Sequence, residues 1–442
     1  MIRKLLVIVI LFFSAISTLQ CCAKPIKIYL WHSMVGQPGS ALQQIIDGFN
    51  QSQQQYQVIG VYKGDYNETL TALVAAFRAK QEPAIVQVFE IGTATMMASP
   101  GAIMPVYKLM TQYGFAQDLQ TLLPIIATYY SNNSGQLMAM PFNVSAPVLY
   151  YNKAAFERAG LNPNQPPATW PELANMGAKL LKVGYACAYT SAWPAWIQLE
   201  TFSAWHNIAF ATQANGFQGF NVRVLYDNPL VLYHLTILAT WQKTHLFDYA
   251  GPEDGAQTLF TSGHCAMLTQ SSGSRTDLET QCNFPVGVGT LPYWPEVKGA
   301  PQNAIIGGAS LWVMANQSPI VYQGVVAFFH YLLQIKVQLN WQQQTGYLPL
   351  TMAAYQTSKM QGFYQRYPGS EIAIKELNNK PATLYSKGIR LGYFSQIREI
   401  NNTAMEEIFS GKMSPKQALA YATVRANSLL VKFATIVQVS QQ

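Results

Sequence analysis

Apolar positions along the chain change rhythm in a regular order. Ile26–Trp31 reads as a short strand, and Leu42, Ile45, Ile46 and Phe49 then recur at helical spacing behind Ser40, a suitable cap. Tyr56–Tyr62 alternates as a second strand. Leu70, Leu73, Val74 and Phe77 repeat the helical spacing, and Ala84–Phe89 is a third strand. Strand, helix, strand, helix, strand predicts a parallel α/β sheet.

The pattern restarts near Asn143. Pro147–Asn152 reads as a strand and Ala154–Ala159 as a helical turn, followed by the Pro/Asn-rich loop 162–167. Thr169 and Glu172 form a capping box that opens a helix through Leu181. Further helices are expected over Leu230–Lys243, Ile320–Ile335 and Gln417–Phe433. With no tandem repeat, two α/β lobes connected near residue 143 are the simplest organisation.

The first residues follow neither rhythm. Arg3 and Lys4 precede the apolar run Leu5–Phe13, and small and polar residues lead to Cys21-Cys22-Ala23. This predicts a secretory signal over residues 1–23, cleaved after Ala23. A lipoprotein reading of Cys21 is weakened by the adjacent Gln20. The remaining cysteines, Cys187, Cys265 and Cys282, admit at most one disulfide, with Cys187–Cys265 a candidate pair.

Charge is sparse, at 11% of residues, with a formal net +7 of which Arg3 and Lys4 supply two. No run of basic residues points to nucleic acid, which is not expected as a partner. The six histidines are scattered without metal-ligand spacing, and neither a Gly-x-Ser-x-Gly elbow nor a phosphate-binding loop occurs. No cofactor, no metal and no catalytic group is therefore expected.

Two short segments suit ligand binding. Ser271-Ser272-Gly273-Ser274 follows the apolar segment Cys265–Leu268 and is expected to open a helix, where backbone N–H groups and hydroxyls favour an anion. Taken alone, those residues favour an ordinary serine cap. Ile306-Gly307-Gly308-Ala309-Ser310 is read as a glycine turn approached closely by a ligand or, preferably, a neighbouring strand. Trp193 and Trp196 flank Pro194; they suit either a cage for a quaternary ammonium or the core.

The segment LYYNKAAFERAGLNPNQPPATWPEL, Leu149–Leu173, resembles the signature of bacterial extracellular solute-binding proteins of the maltose-binding type. The segments WHSM at 31–34, QVFEIGTATMMAS at 87–99, WIQLETFSAW at 196–205, APQNAIIGGASLWVM at 300–314, TGYLPL at 345–350 and SKGIRLGYFSQIR at 386–398 extend the likeness to the glycerol-phosphate-binding branch of that family.

That resemblance implies a type II periplasmic binding protein, a Venus flytrap whose two α/β lobes are joined by hinge strands. It implies one lobe from residues 24–142 plus about 302–346 and another from 143–301 plus about 347–442. The expected ligand is glycerol 3-phosphate or glycerophosphocholine, delivered in the periplasm to membrane ABC permease subunits with a cytoplasmic ATPase. Carried over by motif, Tyr66, Glu90, Ser145, Ser271, Gly308, Tyr347 and Arg398 would contact ligand, with Trp193 and Trp196 beside them. Arg398 would grip phosphate with its planar fork, and Glu90 would face glycerol hydroxyls. The alternatives are an oligosaccharide-binding protein of the same fold and a secreted glycerophosphodiesterase.

Overall fold

The computed structural model describes residues 24–99 and 101–440; the expected leader and Cys21 lie outside them. Among the described residues the strands are β1 (Ile26–His32), β2 (Tyr56–Tyr62), β3 (Ile85–Phe89), β4 (Met140–Ser145), β5 (Pro147–Asn152), β6 (Cys187–Ser191), β7 (Phe247–Asp248), β8 (Cys265–Ser271), β9 (Val286–Gly289) and β10 (Gly307–Val313). They form two five-stranded sheets, ordered β2-β1-β3-β10-β4 and β7-β6-β8-β5-β9.

The sheets are mixed rather than purely parallel. β1 runs parallel to β2 and β3, as the strand–helix alternation predicts. β10 is antiparallel to both β3 and β4 because the chain reaches it from the other lobe, without a local helical crossover. In the second sheet β5 is antiparallel to β8 and β9, while β6 is parallel to β7 and β8. β3, β4 and β5 are buried along their whole length, the pattern of strands covered on both faces.

The chain passes from the first sheet to the second through Ala146 alone, between β4 and β5, and Asn143 lies within β4. It returns between β9 and β10. The helix Pro319–Leu332 then packs on β1, whereas Phe394–Phe409 and Pro415–Ser440 pack with Pro229–Gln242 in the second lobe. Each lobe is thus assembled from separated stretches of chain, and the cleft between them lies where the crossings run.

Helix boundaries depart from the sequence reading where caps decide them. The first helix begins a turn early, at Gly36, so Ser40 lies inside it and donates to the Gly36 carbonyl instead of capping. The Thr169 capping box forms as expected. The apolar run 320–335 breaks at Leu333–Gln334, and a new helix, Ile335–Thr345, leaves at 67°. Among the described residues, no single helix is long and apolar enough to cross a membrane.

Cys187 and Cys265 face each other across β6 and β8 and are joined as a disulfide, leaving Cys282 as a free thiol. Cys187, Asp248 and Cys265 are the one close grouping of metal-ligand types found among the described residues, and two of its members are tied in that bond.

Candidate functional site

A cavity of about 370 Å³ lies between the lobes, and all nine residues nominated from sequence line it: Tyr66, Glu90, Ser145, Trp193, Trp196, Ser271, Gly308, Tyr347 and Arg398. They come from both lobes and from the crossing between them. Their convergence reflects topology, since β3, β4, β8 and β10 all present an end or a crossing at this point.

The first lobe aims its phenol through a relay of amides. The Ser33 backbone N–H donates to Gln87 Oε1 (2.8 Å), Gln87 Nε2 to Asn143 Oδ1 (2.8 Å), and Asn143 Nδ2 to the Tyr66 hydroxyl oxygen (2.8 Å). Each link fixes the orientation of the next, so Tyr66 accepts from Asn143 and its own O–H is left to donate elsewhere. Burial holds the Tyr66 hydroxyl well above its ordinary pKa and raises that of Tyr347, so both phenols stay protonated donors. Phe89 stacks on Tyr66 at 5.3 Å and Trp341 on Tyr347 at 5.5 Å, fixing both rings.

The glycines do not form a turn. Ile306–Ser310 runs into β10, where Gly307 pairs with Ser145 and Gly308 with Val144. A Cβ at Gly308 would sit 1.8 Å from the Asn143 carbonyl oxygen, and φ there is +88°, so the preferred reading, close approach of a strand, describes the backbone. A Cβ at Gly307 would sit 2.3 Å from the Trp196 indole. The bare backbone at Gly307 lets this indole of the second lobe close onto β10 of the first.

Ser271 ends β8 and caps the next turn: its Oγ accepts from the Gly273 N–H (3.1 Å), and a 3₁₀ turn, Ser272–Ser274, leads into the helix Arg275–Gln281. The expected helix start is present. Gly273 admits Tyr347, whose ring would lie 2.6 Å from a Cβ there.

Arg398, on the helix Phe394–Phe409, is fixed between two carboxylates. Its Nε and Nη2 donate to Glu200 at 2.9 and 2.5 Å, and Nη2 lies 2.7 Å from Glu90. The Nε–Nη2 edge of the fork expected to grip phosphate therefore faces Glu200. A phosphate has no clear access to that edge, although the arginine lines the cavity. The two carboxylates hold the guanidinium charged despite its burial. Burial raises Glu200 above the ordinary carboxylate value, and Arg398 draws it part of the way back.

Glu200 was not nominated from sequence. It lies on a π-helix, Ala195–Thr201, that also carries Trp196, and is only 1% exposed. The wider turn supplies the extra residue that lets neighbouring side chains meet the cleft together, a use seen often at functional sites. A lone acid among Trp196, Ile197, Leu199 and Phe202 was the available signal, because a carboxylate in so apolar a stretch needs a buried partner.

Trp193 adopts a left-handed φ of +46° and donates its N–H to the Glu253 carbonyl at 2.8 Å. It is half-buried and Trp196 buried, so the two indoles are not an exposed pair. Among the described residues, Trp196 Nε1 and Asn402 Oδ1 are buried without hydrogen-bond partners, and both residues line the cavity. One is a donor and one an acceptor that a ligand would satisfy. The outer wall is acidic: Asp65, Glu253, Asp254, Asp277 and Glu399 line the cavity with Glu90, against Arg398 as the sole Lys or Arg among the described lining residues. Burial raises the Glu253 pKa, and repulsion from Asp65, Asp254 and Glu399 adds to it.

Residues 44–370 match the family model of the bacterial extracellular solute-binding proteins. The chain is 46% identical over 408 residues to the sn-glycerol-3-phosphate-binding periplasmic protein UgpB of Yersinia enterocolitica, covering 92% of this chain and 93% of that protein. Its likeness to UgpB of Salmonella typhimurium is 46% over 407 residues, with the same shares of each chain covered. Among solved structures, UgpB of Mycobacterium tuberculosis in complex with glycerophosphocholine superposes with a TM-score of 0.77 at 22% identity, over 93% of this chain and 99% of that one. The cyclic alpha-maltosyl-1,6-maltose binding protein of Arthrobacter globiformis gives 0.73 at 18%, over 92% and 99%. The sheet order, the cleft between the lobes and these matches agree: the chain belongs to the bacterial extracellular solute-binding proteins.

Proposed function

We propose that this chain is the periplasmic binding subunit of an ABC importer for glycerol-phosphate compounds, with glycerophosphocholine preferred over glycerol 3-phosphate. The relatives named for sn-glycerol 3-phosphate support the class of ligand. The observation that carries the preference is the charge of the cleft, where Arg398 is outnumbered by carboxylates.

In this reading the ligand lies across two chemically different halves. Glu90 and Arg398, already paired, supply an acceptor and donors for the glycerol hydroxyls. Phosphate takes the uncharged donors: the hydroxyls of Tyr66, Ser145, Ser271 and Tyr347 and the backbone at Gly308. The quaternary ammonium turns toward Trp193 and the outer acids, where an indole contact is worth roughly 0.5–2 kcal/mol. A zwitterion satisfies both signs, whereas the dianionic monoester meets the acids without compensation. Closing the lobes would bury the ligand and present one surface to the membrane permease.

Isothermal titration tests the reading. Glycerophosphocholine should bind with micromolar affinity or better, at least about tenfold tighter than glycerol 3-phosphate, a difference of about 1.4 kcal/mol. Tight binding of maltodextrin with no heat from either glycerol compound would replace it with the oligosaccharide reading. Release of choline on incubation would replace it with a phosphodiesterase.

A further inference from the structure

The motif Ser386–Arg398 holds a second buried arginine that the ligand cleft does not use. Arg390 is 6% exposed and has no carboxylate in ion-pair reach among the described residues. Its Nη1 donates to the carbonyls of Ser131 (2.5 Å) and Tyr129 (3.4 Å), and Nη2 donates to Asn133 Oδ1 (2.9 Å). These acceptors fix the guanidinium in place while leaving its unit charge unmatched. Lys387 stands beside it: both cations lie over the Phe217 ring, at 4.6 Å for the ammonium and 4.3 Å for the guanidinium.

Both residues line an open cavity of about 560 Å³ between the segment 124–135 of the first lobe and Phe217, Gln218, Lys387 and Arg390 of the second. No described lining residue is acidic. The Lys387 ammonium has no hydrogen-bond partner among the described residues, and the side-chain amides of Asn133 and Gln218 and the Thr128 hydroxyl keep donors unused. Among the described residues, an immobilised guanidinium, a neighbouring ammonium without a counter-ion and neutral donors around an open cavity are the components of an oxyanion site. Burial and the Arg390 charge both lower the Lys387 pKa, the mutual repulsion that a bound anion would relieve.

We propose that Lys387 and Arg390 form a second anion site at the lobe junction, separate from the ligand cleft, which takes a free oxyanion of the phosphate class. The two sites differ in sign: the cleft offers one neutralised arginine among acids, and this cavity offers two uncompensated cations.

The test is titration of inorganic phosphate into the whole secreted chain, with glycerophosphocholine in excess and chloride at matched ionic strength as control. Wild type should show one saturable phosphate site. Lys387→Ala, at a half-buried position outside the ligand cleft, should weaken it about tenfold or more, and Lys387→Arg should restore it. Affinity for glycerophosphocholine should be equal in all three proteins. Absence of saturable phosphate heat, or equal phosphate binding by wild type and Lys387→Ala, would overturn the site. If glycerophosphocholine itself fails to bind, the ligand reading above fails, while the comparison of wild type with Lys387→Ala still decides this one.

Discussion

Arg390 and Arg398 belong to one short motif and are both largely removed from water, yet their surroundings are opposite. Arg398 meets two carboxylates, which push its pKa up. Arg390 meets carbonyl and amide oxygens, and burial draws its pKa down with only partial opposition from Tyr129. A buried guanidinium thus says little about the sign of its site. The Arg398 site carries a surplus of negative charge and suits hydroxyl groups; the Arg390 site is positive and suits an anion. The phosphate grip that its motif invites would have to form beside two carboxylates that already hold Nε and Nη2.

The largest expected contrast is in stability. Arg398→Ala leaves Glu200 buried opposite Glu90 with no cation between them, which should cost about 3–5 kcal/mol in denaturant unfolding. Arg390→Ala removes hydrogen bonds but strands no charge, so about 1–3 kcal/mol is expected. Equal losses would erase the distinction between the two sites. Adding Glu200→Gln to Arg398→Ala should recover part of the larger loss, since an uncharged amide tolerates that position better.

Acid separates Arg398 and its two carboxylates from a third way of burying an ionisable group, which is to keep it neutral. Behind the π-helix, His234 Nε2 lies 3.0 Å from Gln198 Oε1, and His206 Nε2 accepts from the Trp294 N–H at 2.9 Å while its Nδ1 donates to the Phe202 carbonyl. Burial lowers the His206 pKa to about 4 and that of His234 well below its ordinary value. The unfolded chain takes these protons near pH 6.5, so their stabilisation is complete above that pH and is lost as pH falls toward about 4. Denaturant midpoints should begin to drop below about pH 6.5, with roughly 2–4 kcal/mol gone by about pH 5. A first loss confined to more acid pH would mean that these two buried histidines do not set the acid sensitivity.

A smaller effect sharpens the ligand side of the comparison. Glu200→Gln removes one of the two negative charges on Arg398 and leaves the side chain's shape. The cleft becomes less negative, so glycerol 3-phosphate should gain on glycerophosphocholine by about 1–2 kcal/mol in the ratio of their dissociation constants. An unchanged ratio would mean that the outer acids alone set the preference.

How much of the molecule is legible in the sequence depends on how local each signal is. β2 and β5, at Tyr56–Tyr62 and Pro147–Asn152, and the Thr169 capping box depend on adjacent residues and are readable directly. The nine cleft residues were reachable through motifs because each motif carries its own end of a strand or helix to the crossing. Glu200 and the Gln87–Asn143 relay were not reachable that way. Their roles depend on a partner far along the chain, and the π-turn that aims Glu200 has no periodicity of its own. β10 hid for a related reason: its two glycines look like a turn until the Asn143 carbonyl and the Trp196 ring are known to press against them.

Tyr129 decides whether the two arginine sites act independently. Its hydroxyl lies 2.8 Å from the Ile389 carbonyl oxygen, next to Arg390, and 3.0 Å from the carbonyl oxygen of Glu90, the residue that holds Arg398. Its ring is seated against Gly388, where a Cβ would come within 2.6 Å. Tyr129→Phe keeps that packing and deletes the hydroxyl, leaving two buried carbonyls short of one donor, for about 1 kcal/mol of stability. Because those bonds run to backbone carbonyls, neither arginine's charged partners should move, and glycerophosphocholine affinity should change by less than about threefold. A tenfold loss of affinity with an equally small loss of stability would mean instead that the hydroxyl transmits the position of one arginine to the other, and the two sites would have to be treated as one.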